Sequence, residues 1–336
     1  MKPVAFLTCA LVVMALATGG CSSDASNTSQ PPASSSGESA APAKGPKVTA
    51  TIKVGQKPWG VAVDSIAKMV YVTNSGDDTV SVIDAGSNTV KATIRVGKNP
   101  SGIAVDPQAK KAYVANTGDD SVSIIDTGSN TVGAPLRVGK APHAVAVDPD
   151  GHIVFVTNQD DGSVSVIDTA AAAVTATTAV GRKPAGLDVD VPGLSVYVTN
   201  SEDNSVSVID VASRQVANTI PVGKGPDWVQ VVGSLAYVTT AGDNAVSVIE
   251  TASGKVTETI PVGKTPDGWV ADPGRHTAYI TNSGDNSMSA VDPAARKITG
   301  TVKVGKGPKG IAIDLTTHLV YTTNAGDGTV SVIATQ

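Results

Sequence analysis

His143, Asp227, Asp267 and Lys309 each directly follow a proline, and so do Trp59, Ser101 and Ala185, at a spacing of 42 residues with one step of 40. An imidazole, an ammonium group and two carboxylates at one register of a repeat are the groups that proton transfer and polar-ligand recognition draw on. Further into the same segments, Asp188 and Gln230 stand where other units carry alanine, as at Ala62, Ala104 and Ala146. All three tryptophans of the chain, Trp59, Trp228 and Trp269, fall within these segments as well. If the repeat converges there, the result is a mouth with aromatic walls, one histidine, one lysine and an acidic arc. Trp59, His143, Asp188, Asp227, Trp228, Gln230, Asp267, Trp269 and Lys309 are the expected ligand-binding residues. The competing explanation is drift at exposed loop positions, with the tryptophans packing between units.

No catalytic residue can be assigned. There is no G-x-S-x-G elbow, and Gly263-Lys264-Thr265 is not the end of a phosphate loop, because Glu258 occupies the position that would need glycine. No H-x-x-x-H or Cys/His ligand set is present, so no metal site is expected. His152, His276 and His318 all lie three residues before an aromatic position, in a turn where other units carry Lys68, Lys110, Leu194 and Ser234. An acidic turn recurs in every unit, including Asp77, Asp119, Asp161, Asp203, Asp243, Asp285 and Asp327. These turns lack the D-x-D-x-D-G spacing that wraps calcium and are expected to be solvated hairpin turns. No cofactor is expected.

The elements that must position these residues follow from the period. Val-Gly recurs at Val54, Val96, Val138, Val180, Val222, Val262 and Val304, and an aromatic residue at Tyr71, Tyr113, Phe155, Tyr197, Tyr237, Tyr279 and Tyr321. Each unit reads as four short strands, in the first unit 61–64, 69–74, 79–84 and 89–96, separated by turns rich in Gly, Ser, Asn and Asp. Four antiparallel strands in about 42 residues make one propeller blade. Small serines between the aliphatics of VSVID suit strands covered on both faces, and the aromatic register reads as core. The segment 48–54 is an outer strand with no inner strands before it, while the last unit ends without one. The fold class is therefore all-β: a seven-bladed propeller over residues 48–336, closed by the N-terminal strand supplying the outer strand of the last blade.

The motifs VG-x-x-P-x-G, YVTN and VSVID resemble those of the YVTN-repeat family of seven-bladed propellers, and the resemblance covers residues 48–336. That resemblance implies surface or periplasmic binding proteins and, more distantly, lactonase and amine dehydrogenase subunits. Kelch and WD40 signatures are missing.

The N-terminus speaks to location. Lys2 and the apolar run 4–17 read as a signal segment, placed at 1–20. Leu16 to Cys21 resembles a bacterial lipobox, which implies acylation of Cys21, although Ala15-Leu16-Ala17 would also serve as an ordinary cleavage site. Residues 21–47 are rich in Ser, Ala and Pro and read as a disordered tether, spanning roughly 25–30 Å as a coil. The expected protein is an extracytoplasmic, lipid-anchored monomer, a lipoprotein at the cell surface or in the periplasm. It would bind a protein, glycan or small ligand; the alternative is a lactonase-type hydrolase using the mouth carboxylates. A formal charge of −5 argues against a nucleic-acid partner.

Overall fold

The segment MVYVTN is a strand because β-branched and aromatic residues dominate it, and its burial is nearly complete on both faces. The computed structural model describes residues 45–148 and 150–335. The signal segment 1–20, Cys21 and all of the tether except residues 45–47 lie outside the described residues. In the first blade, β2 (Pro58–Asp64), β3 (Met69–Asn74), β4 (Thr79–Asp84) and β5 (Thr89–Arg95) pair in sequence order as an antiparallel sheet. The inner strand begins at Pro58, three residues earlier than the sequence suggests, and a register shift between Pro58 and Val61 separates its entrance from its regular part.

The same sheet recurs seven times, giving the all-β, seven-bladed propeller that the repeat implies. Its seams are apolar. Tyr71 packs with Ile103, Ala112, Val114 and Ile125 of the second blade, and Tyr321 with Val61, Val70 and Val72 of the first. Each blade's aromatic residue thus covers the strands of its successor, which explains why this register is aromatic in all seven blades. The outer strand of the second blade departs from the pattern: it splits into Thr131–Val132 and Leu136–Arg137 around Gly133, Ala134 and Pro135. Pro135 has no N–H to give to a ladder.

Ring closure is made by β1 (Lys47–Lys53), which pairs antiparallel with Thr329–Ala334 from Lys47 opposite Ala334 to Lys53 opposite Thr329. Its register shift between Val48 and Ala50 is the one that outer strands of other blades show, as at Val82/Ile83. Ile52 is its one fully buried residue and joins the cluster between the seventh and first blades.

Removing residues 47–54 therefore strips the last blade of its outer strand and uncovers a long β-edge. Such a protein is expected to melt well below the intact chain or to aggregate, and an unchanged melting curve would reject the closure. The milder Ile52→Ala should cost about 2–5 kcal/mol in chemical denaturation.

Candidate functional site at the channel mouth

The polar residues that recur from blade to blade are already occupied by structural hydrogen bonds. Thr73 of YVTN accepts from Gly60 N–H and donates to the Ser101 carbonyl of the next blade at 2.6 Å. Thr157, Thr199, Thr239, Thr281 and Thr323 donate in the same way to the carbonyls of Ala185, Asp227, Asp267, Lys309 and Trp59. The second blade has Ala115 in place of threonine, and Ser101 Oγ fills the gap by donating to the His143 carbonyl at 2.7 Å. The following asparagine, Asn74, donates to the hydroxyls of Thr79 and Ser81 from a fully buried position.

The acidic turns have the same character. Asp77, Asp119, Asp161, Asp203, Asp243, Asp285 and Asp327 each accept a backbone N–H, from Gln56, Lys98, Lys140, Arg182, Lys224, Lys264 and Lys306, at 2.6–2.7 Å. Their spacing suggests solvated turns; in the fold they also fasten each blade connection to the hairpin beside it. Among the described residues, no group of three or more His, Cys, Asp or Glu is arranged to hold a metal ion.

Every residue directly after the blade proline thus has its carbonyl held by a hydroxyl of the preceding blade. Glycine permits the close approach: a Cβ on Gly102 would lie 2.5 Å from the His143 carbonyl oxygen, and one on Gly186 equally close to that of Asp227. The side chains of Trp59, His143, Asp227 and Asp267 meet around a small cavity of about 30 Å³, with Trp228 on its wall in place of the usual glycine. Lys309 Nζ is 2.6 Å from Asp267 Oδ2 and 4.7 Å from the centre of the Trp59 ring. Trp59 and His143 meet edge to face, with ring centres 5.7 Å apart. The cavity has room for about one or two waters.

Burial governs the charges in this cluster. It pushes His143 down to about 4, with Asp267 opposing and Lys309 assisting. It pushes Asp267 up to about 7, helped by Asp227 and opposed by Lys309 and His143. Asp227 is also raised by burial, against the pull of Lys309. For Lys309 itself burial acts against the charge, but Asp267 and Asp227 outweigh it and the ammonium is retained. At neutral pH the cluster therefore combines an ammonium, a neutral imidazole and two carboxylates that compete for a proton.

The remaining candidates lie elsewhere. Asp188 accepts the Val231 N–H of the next blade at 2.8 Å, and burial raises its carboxyl to about 6. Gln230 Oε1 takes the Ala271 N–H in the same way. Both side chains thus bridge inner strands and lie outside the lining of the small cavity. Trp269 is 1% exposed and stacks on Tyr237 between the fifth and sixth blades, so it takes no part in the mouth. His318, read from sequence as an exposed turn residue, has Nδ1 2.7 Å from the buried Asp272 carboxylate. The sequence offers one clue to that pairing: Asp272 ends the inner strand of one blade and His318 lies in the turn after the inner strand of the next, on one face.

A family model described as a YNCE-like beta-propeller matches residues 42–150 and 190–277. No curated protein matches the chain. Among solved structures, a chain of hydrazine synthase from Kuenenia stuttgartiensis is similar in fold, with a TM-score of 0.74 at 21% identity, covering 83% of this chain and 96% of that one. At that identity the likeness concerns the fold alone.

The two buried titrations oppose each other across one pH window. The folded pKa of Asp267 lies above its ordinary 3.8, so its contribution favours folding at low pH and is lost as pH rises from about 4 to about 7. The folded pKa of His143 lies below its ordinary 6.5, so its contribution grows as pH rises from about 4 to about 6.5. Asp267→Asn should make the melting temperature rise over that window, and His143→Gln should make it fall. Parallel profiles for the two variants would show that the cluster is not desolvated.

Proposed function

Because the chain belongs to the YNCE-like beta-propeller family, whose fold supports a binding or scaffolding role, we propose that it is an extracytoplasmic, membrane-anchored binding propeller. It presents its channel mouth to a protein, glycan or small ligand. One observation carries this reading: the polar groups that recur from blade to blade are engaged in holding the ring, while unshared groups, Trp59, His143, Asp227 and Asp267, gather around one cavity with Lys309 paired to Asp267 and over the Trp59 ring. The cavity has room for water but not for a ligand, so in this reading the partner rests over the mouth and meets Trp59, Trp228 and the carboxylates from outside. The anchor is supported by the Leu16–Cys21 motif and the apolar-poor tether that follows it. Acyl chains contribute about 0.8 kcal/mol per buried methylene, enough for several chains together to hold a protein at a membrane.

The lactonase-type alternative uses the same groups, with His143 as base. It is favoured by a neutral imidazole beside a carboxyl that titrates near 7. It stands second because a substrate carbonyl has no space to reach them.

Two experiments test the proposal. Mass spectrometry of the mature N-terminus should find an acylated Cys21, and Cys21→Ser should release the protein from membranes; a mature chain starting at Thr18 with a free thiol sinks the anchor. The double substitution Asp227→Ala/Asp267→Ala should leave the fold intact and abolish binding to whatever a glycan array or an envelope pull-down identifies. Full retention of binding rejects the mouth, whereas lactone turnover by the intact protein that the double variant lacks would place the hydrolase first.

A further inference from the structure

The two ends of the ring show different chemistry to solvent. At the mouth end the blade connections carry Lys57, Lys98, Lys140, Lys224, Lys264 and Lys306 beside the aspartates of the acidic turns. Among the described residues, six large apolar side chains are exposed: Ile66, Val90, Leu194, Val256, Ile298 and Leu315. None of them is at the mouth end. Ile66, Leu194 and Leu315 lie in the turns that join the two innermost strands of the first, fourth and seventh blades, while Val90, Val256 and Ile298 stand second in the outer strands Thr89–Arg95, Lys255–Pro261 and Lys297–Lys303. Both sets of positions belong to the end opposite the mouth. A single exposed leucine is ordinary on a protein surface, but a symmetric repeat that confines every such residue to one end has an apolar end and a charged one.

Ile66 and Leu315 are the most prominent pair. They are 74% and 54% exposed and sit on adjacent blades, whose turns are tied together by Ser65 Oγ donating to Asp314 Oδ1 at 2.8 Å. The carboxylates of this end are held against the protein: Asp84, Asp126, Asp168, Asp210 and Asp292 accept N–H groups of the turns that follow them, and Asp64, Asp106, Asp148 and Asp314 are buried. Lys47, Lys68, Lys110, Lys255 and Lys297 are exposed around the apolar tips. Lysine suits such a border, because its stem covers apolar surface while the ammonium stays at the level of water or lipid headgroups. The chain that precedes the propeller joins it at this end. β1 starts with Lys47 opposite Ala334, and Pro46 lies beside Gly300, in the same outer strand as the exposed Ile298. Residues 22–46 then connect to Cys21, roughly 25–30 Å as a coil. A tether of that length keeps the ring at high effective concentration near whatever holds Cys21, so a weak surface contact is enough to orient it.

We propose that the end of the ring opposite the mouth rests on the surface of a lipid bilayer, with Ile66 and Leu315 entering the headgroup region and the mouth turned away from the membrane. This rests on the anchored reading of Cys21 and adds the orientation that an anchor alone leaves open. It also leaves the mouth free for a partner that approaches from the medium, and it keeps the charged connections of the mouth end in water.

The chain from residue 21 onward has Cys21 as its one cysteine, so a maleimide lipid can fix it to vesicles of brominated phosphatidylcholine whether or not the cell acylates it. Mass spectrometry of the mature N-terminus decides the anchor, and quenching on these vesicles decides the orientation. Ile66→Trp and Leu315→Trp should each lose at least about twofold more emission to the brominated lipid than Gln56→Trp, the exposed reporter at the mouth end. Adding Leu194→Asp and Leu315→Asp to the Ile66→Trp reporter should bring its quenching down to that of Gln56→Trp without moving the melting temperature, since both leucines are exposed. If a reporter does not fold, hydrogen exchange of the parent chain replaces it: the N–H groups of Ile66 and Ala67 should exchange more slowly on vesicles than in solution, and that of Gln56 at the same rate in both. Equal quenching at the two ends, stronger quenching of Gln56→Trp, or no quenching at either end, as when the apolar end pairs with a second copy of the chain, overturns the proposal.

Discussion

A ring of seven hydroxyl-to-carbonyl hydrogen bonds, each 2.6–2.9 Å long and each crossing from one blade to the next, is the interaction on which the rest of this structure depends. The carbonyls it satisfies belong to the entrances of the inner strands, where the register shift after the proline leaves the chain without ladder partners. A buried carbonyl left unmatched costs about 1–3 kcal/mol, so seven unmatched carbonyls would be a severe defect for a marginally stable domain. Satisfying them from the neighbouring blade does two things at once. It locks adjacent blades in angle and height, and it turns the residue after each proline so that its side chain meets its counterparts around the channel.

That coupling explains how the molecule separates architecture from function. Thr, Asn and the turn Asp recur because each holds backbone or hydroxyl groups in a blade that could not be closed otherwise, and their substitution would be felt in the fold. The residue after the proline contributes its carbonyl to the ring whatever its side chain is, so tryptophan, serine, histidine, aspartate and lysine all fit the same socket. Blade 2 shows the exchange in the other direction: with Ala115 unable to donate, the serine at its own socket takes over the bond and is withdrawn from the set of free side chains.

The propeller and its closure were legible in the sequence because a period of 42 residues, an unpaired first strand and a missing last one admit few other arrangements. The convergence of Trp59, His143, Asp227, Asp267 and Lys309 was legible too, since a shared register in a closed repeat places side chains around one axis. What the sequence hid were contacts set by reach across a seam. Nothing in the spacing tells that Asp188 and Gln230 cap backbone N–H groups of the next blade, or that Trp269, two residues beyond Asp267, turns away from the mouth into the seam. The acidic turns looked like solvent-facing ornament because the N–H groups they hold lie about 20 residues earlier, in a connection whose path only the folded ring defines.

The closing strand bears on how the molecule comes into being. Thr49 hydrogen-bonds to the Val332 carbonyl across 283 positions of sequence. In a chain made from its N-terminus, β1 is synthesised long before its partner strand Thr329–Ala334, and the ring cannot close until that partner is present. Its composition fits that wait: lysines at both ends, threonines along one face and a single isoleucine as the fully buried residue make it a poor template for pairing with other chains. The residues that complete the ring thus offer little to other chains while they are unpaired.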